Sequence, residues 1–328
     1  MNRRNFLRSS LGASAAVASL GLLPRNRLPS QIPQTPPPPP SRSPAPLADG
    51  FVALRRNTGI YNGRGGTIGW LASPAALVVI DTQFPDTAAK CLAGLPLRAG
   101  RQIDAVINTH HHADHTSGNP VFRPVAKIIA AHKNAPALQR AQAARATPPA
   151  LDSQVYPDTL FNDTLTLELG GGRDGAETLH ARHFGPAHTG GDIVVFFEKA
   201  NVVHMGDLVF NRLYPYIDRP AGADIASWIK ALEAAAATYP ADAIYIFGHA
   251  GASSRFGVTG TRDDLLVMRD YFSGLLGHVR REIAAGKSRD EILALENLPG
   301  FPDYHAPRPN RMPMNLGAAY DELTNAPR

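Results

Sequence analysis

The sequence has little cysteine, few aromatic residues and no apolar run long enough to cross a membrane. Cys91 is the only cysteine among 328 residues, which excludes an intrachain disulfide and a zinc site built from several thiolates. The apolar run at residues 11–23 is shorter than the ~20 residues that span a bilayer, so we expect no stable transmembrane segment. Any metal in this chain must be held by histidine and carboxylate side chains.

Acidic residues are absent from residues 1–48, and this absence explains the basic character of the chain. The formal net charge is +5 and the pI about 9.4, but six of the 33 basic residues lie in this segment. The rest of the chain has 27 basic residues against 28 acidic ones, and no basic stripe with interleaved aromatic residues. We therefore expect a small-molecule substrate and no nucleic-acid partner.

The N-terminal segment resembles a twin-arginine export signal, because Arg3 and Arg4 precede a short apolar run. We interpret residues 1–23 as the signal peptide and 24–49 as a proline-rich linker; residues 24–47 hold ten of the 29 prolines. This interpretation predicts a periplasmic or secreted protein that uses the twin-arginine (Tat) export machinery. The folded domain is then 50–328.

Short β-type runs alternate with helical stretches beyond residue 50, which predicts a mixed α/β fold. Within 51–72 the glycine-rich turn at 62–66 predicts a hairpin. The remaining predicted strands are 77–80, 105–107, 164–169, 193–197, 202–203 and 244–247, and the predicted helices are 86–95, 133–146, 225–237, 261–285 and a short one after Ser288. Residues 256–328 are accordingly predicted to form a helical C-terminal extension.

The stretch from His110 to His115 reads HHHADH, which puts four imidazoles and one carboxylate within six positions. Burying such a group is costly unless a cation is present, and imidazole and carboxylate are natural zinc ligands. In an extended segment His110, His112 and Asp114 would share one side while His115 points elsewhere, so that one segment could serve two metal ions. We expect His111 not to be a ligand.

Further candidate ligands stand where other apolar runs end. Asp81, Asp207 and His249 each follow a predicted strand, as His110 does, and such strand ends converge at one edge of a sheet in many α/β folds. His188 lies in a loop rich in glycine and proline, between two strand-like runs. Together these residues predict a metal site at one sheet edge.

The order and spacing of these residues, over about residues 51–255, resemble the motif pattern of the metallo-β-lactamase fold hydrolases. The resemblance implies an αββα four-layer sandwich with a dinuclear site that holds two Zn²⁺. It implies that Asp207 bridges the two metals and that Asp81 orients a ligand or its loop. The first metal would be held by His110, His112 and His188, and the second by Asp114, His115 and His249.

This ligand set predicts an exported dinuclear zinc hydrolase. A metal-bridging hydroxide would cleave an ester, lactone, thioester or β-lactam acyl bond. Asp114 and His249 are expected to be catalytic residues as well as ligands, with Asp114 steering a proton. Asp207 resembles the thioesterase, lactonase and phosphodiesterase branches more than the dedicated β-lactamases, so β-lactamase activity is not the leading expectation.

Two other functions remain open from the sequence: a mononuclear iron oxidoreductase resembling sulfur dioxygenases, and a metal-binding module without catalysis. Trp70, Tyr214 and Tyr216 are candidates for the substrate pocket, and the hairpin tip at 62–66 is a candidate flap over the metals. The sequence predicts neither the substrate nor the oligomeric state.

Overall fold

The computed structural model describes residues 47–147, 150–251 and 255–324. The predicted signal peptide at 1–23 and nearly all of the predicted linker at 24–49 lie outside these residues. No helix in the described part of the chain has the length and apolarity needed to cross a membrane.

The first sheet contains seven strands that lie side by side in chain order. They are β1 (Phe51–Ala53), β2 (Thr58–Tyr61), β3 (Ile68–Ala72), β4 (Leu77–Ile80), β5 (Ala105–Ile107), β6 (Ile129–His132) and β7 (Thr159–Phe161). Strands β1 to β4 pair antiparallel, and β4 to β7 pair parallel. The predicted hairpin is confirmed, because Tyr61 on β2 pairs with Ile68 on β3 across the glycine-rich loop.

The second sheet contains six strands, in the order β15, β13, β11, β10, β9, β8. Its strands are β8 (Thr164–Leu169), β9 (Glu177–Arg182), β10 (Val194–Phe197), β11 (Val202–His204), β13 (Ile244–Ile246) and β15 (Thr259–Gly260). A separate parallel pair is formed by β12 (Phe210–Asn211) and β14 (His249–Ala250).

Eight α-helices are described in residues 47–147, 150–251 and 255–324. They are α1 (Pro85–Gly94), α2 (Ala113–Thr116), α3 (Asn119–Phe122), α4 (Ala135–Arg145), α5 (Ile225–Thr238), α6 (Arg262–Ala284), α7 (Arg289–Leu293) and α8 (Arg311–Leu323). The predicted cap of α5 is confirmed, since the Asp224 carboxylate accepts a hydrogen bond from the Ser227 amide at 2.8 Å. The Ser288 capping box also starts α7 as predicted.

Strand alternation in the first sheet divides its side chains between two cores. Val78 and Ile80 on β4 face the second sheet, and their neighbours Leu77 and Val79 pack against Cys91 of α1. One face of this sheet therefore contacts helices and the other contacts the second sheet.

The second sheet is divided in the same way. Val195 on β10 faces the core between the sheets, whereas Val194 and Val203 pack with Trp228 of α5. The layers therefore follow the order helix, sheet, sheet, helix, which confirms the predicted αββα sandwich. The predicted C-terminal helices are present as α6, α7 and α8, and α6 and α8 bury their apolar sides in the same core as α5.

Several elements are absent from the sequence prediction. Strands β6 and β7 and helix α8 were not predicted, and strand β9 was expected only as a strand-like run before His188, without bounds. Helix α8 contains Pro313 and Gly317, both poor helix formers, so its helical periodicity was not recognised in the sequence. Strand β9 carries Glu177 and Arg182 at its ends and has no regular alternation of apolar and polar residues.

Candidate metal centre

The predicted metal ligands meet at one edge of the two sheets, although they are spread over 140 residues of sequence. His110 lies three residues beyond β5, and Asp207 lies three residues beyond β11. His249 begins β14, and His188 lies in the loop between β9 and β10. The structure thus brings the seven predicted ligands together in two adjoining groups.

The first group contains His110, His112 and His188 together with Asp207, and one donor atom from each lies within 4.8 Å of the others. The Nδ1 atom of His112 is 3.1 Å from Nε2 of His110 and 2.9 Å from Nε2 of His188. The three histidines are only 0–5% exposed. This group is therefore largely buried, although His112, His188 and Asp207 border a cavity.

The outer nitrogens of two of these rings are already bound, which fixes their tautomers. His188 donates from Nδ1 to the backbone oxygen of Tyr216 at 2.7 Å. His112 donates from Nε2 to the Asp218 carboxylate at 2.8 Å. The inner nitrogens, Nε2 of His188 and Nδ1 of His112, therefore carry lone pairs.

The third ring, that of His110, is oriented through a relay. The Thr109 hydroxyl donates to the Asp81 carboxylate at 2.7 Å, so its oxygen accepts from Nδ1 of His110 at 3.1 Å. Nε2 of His110 then also carries a lone pair. Three lone pairs that face one another around 3 Å repel in a buried space, so this donor set fits a cation.

The second group contains Asp114, His115 and His249, and it also contacts Asp207. Nε2 of His249 is 3.2 Å from Asp114 and 3.4 Å from Asp207. It is more exposed than the first group, since the side chains of His249 and Asp114 are 24% and 31% exposed. Asp207 lies between the groups, with Oδ1 3.2 Å from His115 and Oδ2 3.4 Å from His188.

The buried contact between His115 and Asp207 also fits a cation. Nδ1 of His115 donates to the Asp81 carboxylate at 2.8 Å, so Nε2 is the ring nitrogen left for a metal. Burial disfavours charge on this ring, but Asp207, Asp81 and Asp114 outweigh it and raise the pKa of His115 well above its usual value, so a metal there would displace a proton. Within the described residues neither Nε2 of His115 nor Oδ1 of Asp207 has a hydrogen-bond partner, although both are buried. A buried imidazole nitrogen and a buried carboxylate oxygen of this kind are suitable zinc ligands.

The pKa values of the histidines differ between the two groups. Burial and His115 hold the pKa of His110 well below its usual value, and burial and His112 lower the pKa of His188 to about 3. Burial also disfavours charge on His249, but Asp207 and Asp114 outweigh it and raise its pKa to about 9. The first group therefore offers neutral nitrogens, whereas in the second group a metal competes with protons.

One step of the sequence reasoning is corrected by this geometry. Residues Ala113–Thr116 form the short helix α2, so the extended backbone reaches only to His112. Asp114 therefore does not share a side with His110 and His112. The helical turn directs both Asp114 and His115 towards His249 and separates them from the first group.

A cavity of about 570 Å³ opens over both groups. Of the three aromatic residues predicted for a substrate pocket, only Tyr216 lines it. Trp70 lies elsewhere, because Ile68, Trp70 and Ala72 share the face of β3 that packs on the α1 side. Tyr214 is covered by the C-terminal helices, where its ring centroid is 5.8 Å from that of Tyr271.

The glycine-rich loop at 62–66 lies against the second group. The amide of Gly66 donates to the backbone oxygen of Asp114 at 3.1 Å. A Cβ atom at position 66 would be 2.1 Å from the His115 ring, so only glycine allows this approach. The loop contributes Arg64 and Gly65 to the cavity wall. Its movement as a flap stays a prediction.

Two residues that orient ligands were not predicted from the sequence. Asp218 binds His112 from outside the ligand set, and Thr109 connects Asp81 to His110. In sequence Asp218 is an ordinary turn residue, whose carboxylate accepts from the Ala221 amide. Nothing local indicates that it also contacts a histidine 106 positions earlier.

Residues 61–249 match the family described as the Metallo-beta-lactamase superfamily. Among curated proteins, a hydroxyacylglutathione hydrolase from Synechococcus sp. (strain JA-2-3B'a(2-13)) is 29% identical over 136 residues, which are 42% of this chain and 45% of the relative. The chain therefore covers less than half the length of that relative.

Solved structures share the fold. A double mutant of the sec-alkyl sulfatase PisA1 gives a TM-score of 0.62 at 19% identity, covering 84% of this chain and 50% of the other. A metallo-beta-lactamase from Hirschia baltica gives 0.53 at 19% identity, covering 68% of this chain and 96% of the other. The enzyme from Pontibacter korlensis gives 0.53 at 18% identity, with coverages of 68% and 98%.

Proposed function

This chain belongs to the metallo-beta-lactamase superfamily, a superfamily of hydrolases, and from this premise we propose that it is a dinuclear zinc hydrolase of acyl bonds. The proposed substrates are esters, lactones, thioesters or β-lactams. The observation that carries the proposal is the position of Asp207, whose carboxylate contacts donors of both groups: Oδ1 is 3.2 Å from His115, and Oδ2 is 3.4 Å from both His188 and His249. One carboxylate between two histidine groups suits two cations better than one.

The residues divide between the two proposed ions as the sequence suggests. Asp207 would contact both. The first ion would be held by His110, His112 and His188, and the second by Asp114, His115 and His249. When bound, zinc supplies a water of lowered pKa (about 7) and an electrophile for the acyl oxygen.

The residues of the second group also face the substrate. Asp114 lines the cavity and its carboxylate is 31% exposed, so it can accept a proton at the cavity floor. His249 contacts Asp114 at 3.2 Å and limits the orientations of its carboxylate. The histidines of the first group border the same cavity at His112 and His188, but they are only 0–5% exposed and offer far less access. We therefore propose that Asp114 is the proton acceptor and that the first group holds metal without handling protons.

The charge of Asp207 bears on the choice among the acyl substrates. A carboxylate between the two groups lowers the positive charge that two cations would create there, so water at the site would be less acidic than without it. This favours esters, thioesters and lactones as substrates over β-lactams, whose hydrolysis we do not expect to be the main activity.

Metal analysis and a substrate panel test this proposal. We expect two zinc ions per chain, hydrolysis of at least one of a thioester, a lactone, a carboxylic ester and nitrocefin, and loss of activity after chelation. The isosteric change Asp207→Asn should reduce the zinc content and the turnover while the fold, measured by circular dichroism, stays intact. One iron per chain with oxygen uptake would refute the hydrolase, as would full zinc occupancy without turnover on any substrate.

Residues 1–23 are proposed to direct export through the Tat machinery, in keeping with Arg3, Arg4 and the apolar run that follows. Replacing both arginines by lysine should leave the protein in the cytoplasmic fraction, measured by cell fractionation and immunoblotting. Export that is unchanged in the double variant would contradict the signal.

A further inference from the structure

The C-terminal extension supplies part of the cavity wall. The amide of Tyr214 donates to the backbone oxygen of His305 at 3.0 Å, and the amide of His305 donates to that of Arg212 at 3.2 Å. These hydrogen bonds fix the chain beyond position 305 beside the loop that leads away from Asp207. As a result Arg308 and Arg311 reach the same cavity as the metal-binding residues, although they lie outside the matched family region.

The two arginines differ from the third arginine in the cavity wall. Arg64 already forms an ion pair with Asp86 at 2.7 Å. Among the described residues no carboxylate pairs with Arg308 or Arg311. Arg311 is half-buried, its Nε is buried without a hydrogen-bond partner, and its guanidinium lies 5.0 Å from the centre of the Tyr216 ring.

This arrangement is unfavourable for the protein alone. Burial lowers the pKa of Arg311, Tyr216 partly offsets this effect, and the charge of Arg308 lowers the pKa further, so the two arginines in this one cavity wall repel each other. An anion between them would offset the repulsion and satisfy the buried Nε, because guanidinium groups bind carboxylate and related oxyanions through paired hydrogen bonds.

The rest of the cavity wall indicates the shape of the molecule that carries the anion. Phe84, Phe210, Leu213 and Pro307 line the cavity together with the arginines and the proposed metal ligands. An apolar body that fills this space would contact both the metal groups and the arginines. The volume of about 570 Å³ is in the range for a small molecule.

We propose that the substrate of this enzyme has an apolar body and an anionic group separate from the scissile bond, and that Arg308 and Arg311 bind this anion. The proposal rests on the proposed hydrolase for the position of the scissile bond. In this proposal the C-terminal extension selects the substrate, and the metal groups carry out the chemistry.

Binding of two matched probes tests the proposal on the zinc-loaded full-length chain. The probes are 4-phenylbutyrate and its neutral analogue 4-phenylbutanamide, measured by isothermal titration calorimetry. We expect the carboxylate to bind at least tenfold more tightly than the amide. The double change Arg308→Gln and Arg311→Gln should abolish this preference, whereas Arg280→Gln, an exposed arginine on α6 outside the cavity wall, should preserve it.

Several outcomes would overturn the inference. A carboxylate preference that survives in the double variant would come from the metals instead of the arginines, and equal binding of both probes to the wild-type chain would exclude an anion site. If the double variant loses zinc or structure, single variants replace it. Changing only the exposed Arg308 to Gln should still weaken binding of 4-phenylbutyrate, and Arg311→Lys should retain part of the preference for the carboxylate over the amide. Since binding is measured, a chain that binds as expected and hydrolyses nothing refutes only the proposed function.

Discussion

The two groups of candidate ligands share Asp207 but differ in almost every other respect. The first group is buried at 0–5% exposure, and the outer nitrogen of each ring is bound to another part of the protein. In the second group, Asp114 and His249 are 31% and 24% exposed and line the cavity. The first group has the properties of a site that retains its metal, and the second those of a site that exchanges ligands and contacts substrate.

The pKa shifts agree with this division. The pKa of His188 falls to about 3, chiefly because the ring is buried, so the ring is neutral and ready to bind metal at any working pH. The pKa of His249 rises to about 9 because two carboxylates outweigh its burial, so a metal must displace a proton there. We therefore expect the first site to fill before the second.

The largest effect is expected from His112→Ala. This change removes the nitrogen between His110 and His188 and leaves the Asp218 carboxylate without its imidazole partner. Metal content should fall below one ion per chain, and kcat should fall more than about a hundredfold, beyond the effect of groups outside the ligand set. Elemental analysis and steady-state kinetics measure both. Retention of two ions would contradict the assignment of the first group.

A smaller loss is expected from His249→Ala. This side chain belongs to the open group, and without it the three histidines of the first group keep their contacts with one another and with Asp207. We expect one ion to remain bound, the second to be lost, and activity to fall while chelator resistance of the remaining ion is unchanged. If His249→Ala removed more metal than His112→Ala, the order of the two sites would be reversed.

Asp218→Asn should separate orientation from ligation within the first group. The amide oxygen of asparagine accepts the hydrogen bond from Nε2 of His112 more weakly than a carboxylate does, so the ring loses part of its fixed orientation and basicity. Metal affinity of the first site should weaken by about 10–100-fold, with the second site little changed. Competition with a fluorescent zinc chelator measures this. Asp290→Asn, an exposed residue on α7, is the control and should have no effect.

The sequence predicted the residues that carry the chemistry better than the contacts that position them. HHHADH and the strand-end residues were recognisable because each is local in sequence. The contact of Asp218 with His112 spans 106 residues and depends on how the layers close, which no local pattern reports. Trp70 was misplaced for a related reason: all five residues of β3 are buried, so the pattern did not reveal which face turns towards the helices.

The smallest effect is expected at His111, which lies in the same motif but belongs to neither of the two groups around Asp207. Its ring is buried, and within the described part of the chain neither nitrogen has a hydrogen-bond partner; Asp218 is 3.9 Å away. Leucine fills a similar apolar space without burying unpaired nitrogens, so His111→Leu should keep zinc content and activity within about twofold and should not lower stability. Loss of a zinc ion would place a ligand at His111, beside His112 and Asp218.

The same variant has a distinct pH signature. Burial lowers the pKa of His111 to about 2, so the native ring stays neutral, while the unfolded chain binds a proton near pH 6.5. Below pH 6.5 the unfolded state of the wild type therefore holds one more proton at this position, and stability falls as the pH falls. His111→Leu lacks this proton-binding site. As the pH is lowered below 6.5, the free energy of unfolding of the variant should therefore rise relative to that of the wild type, by at most about 1.4 kcal/mol per pH unit. Urea unfolding at pH 7.5 and pH 5 measures the difference, and parallel curves would mean that His111 is protonated in the native state.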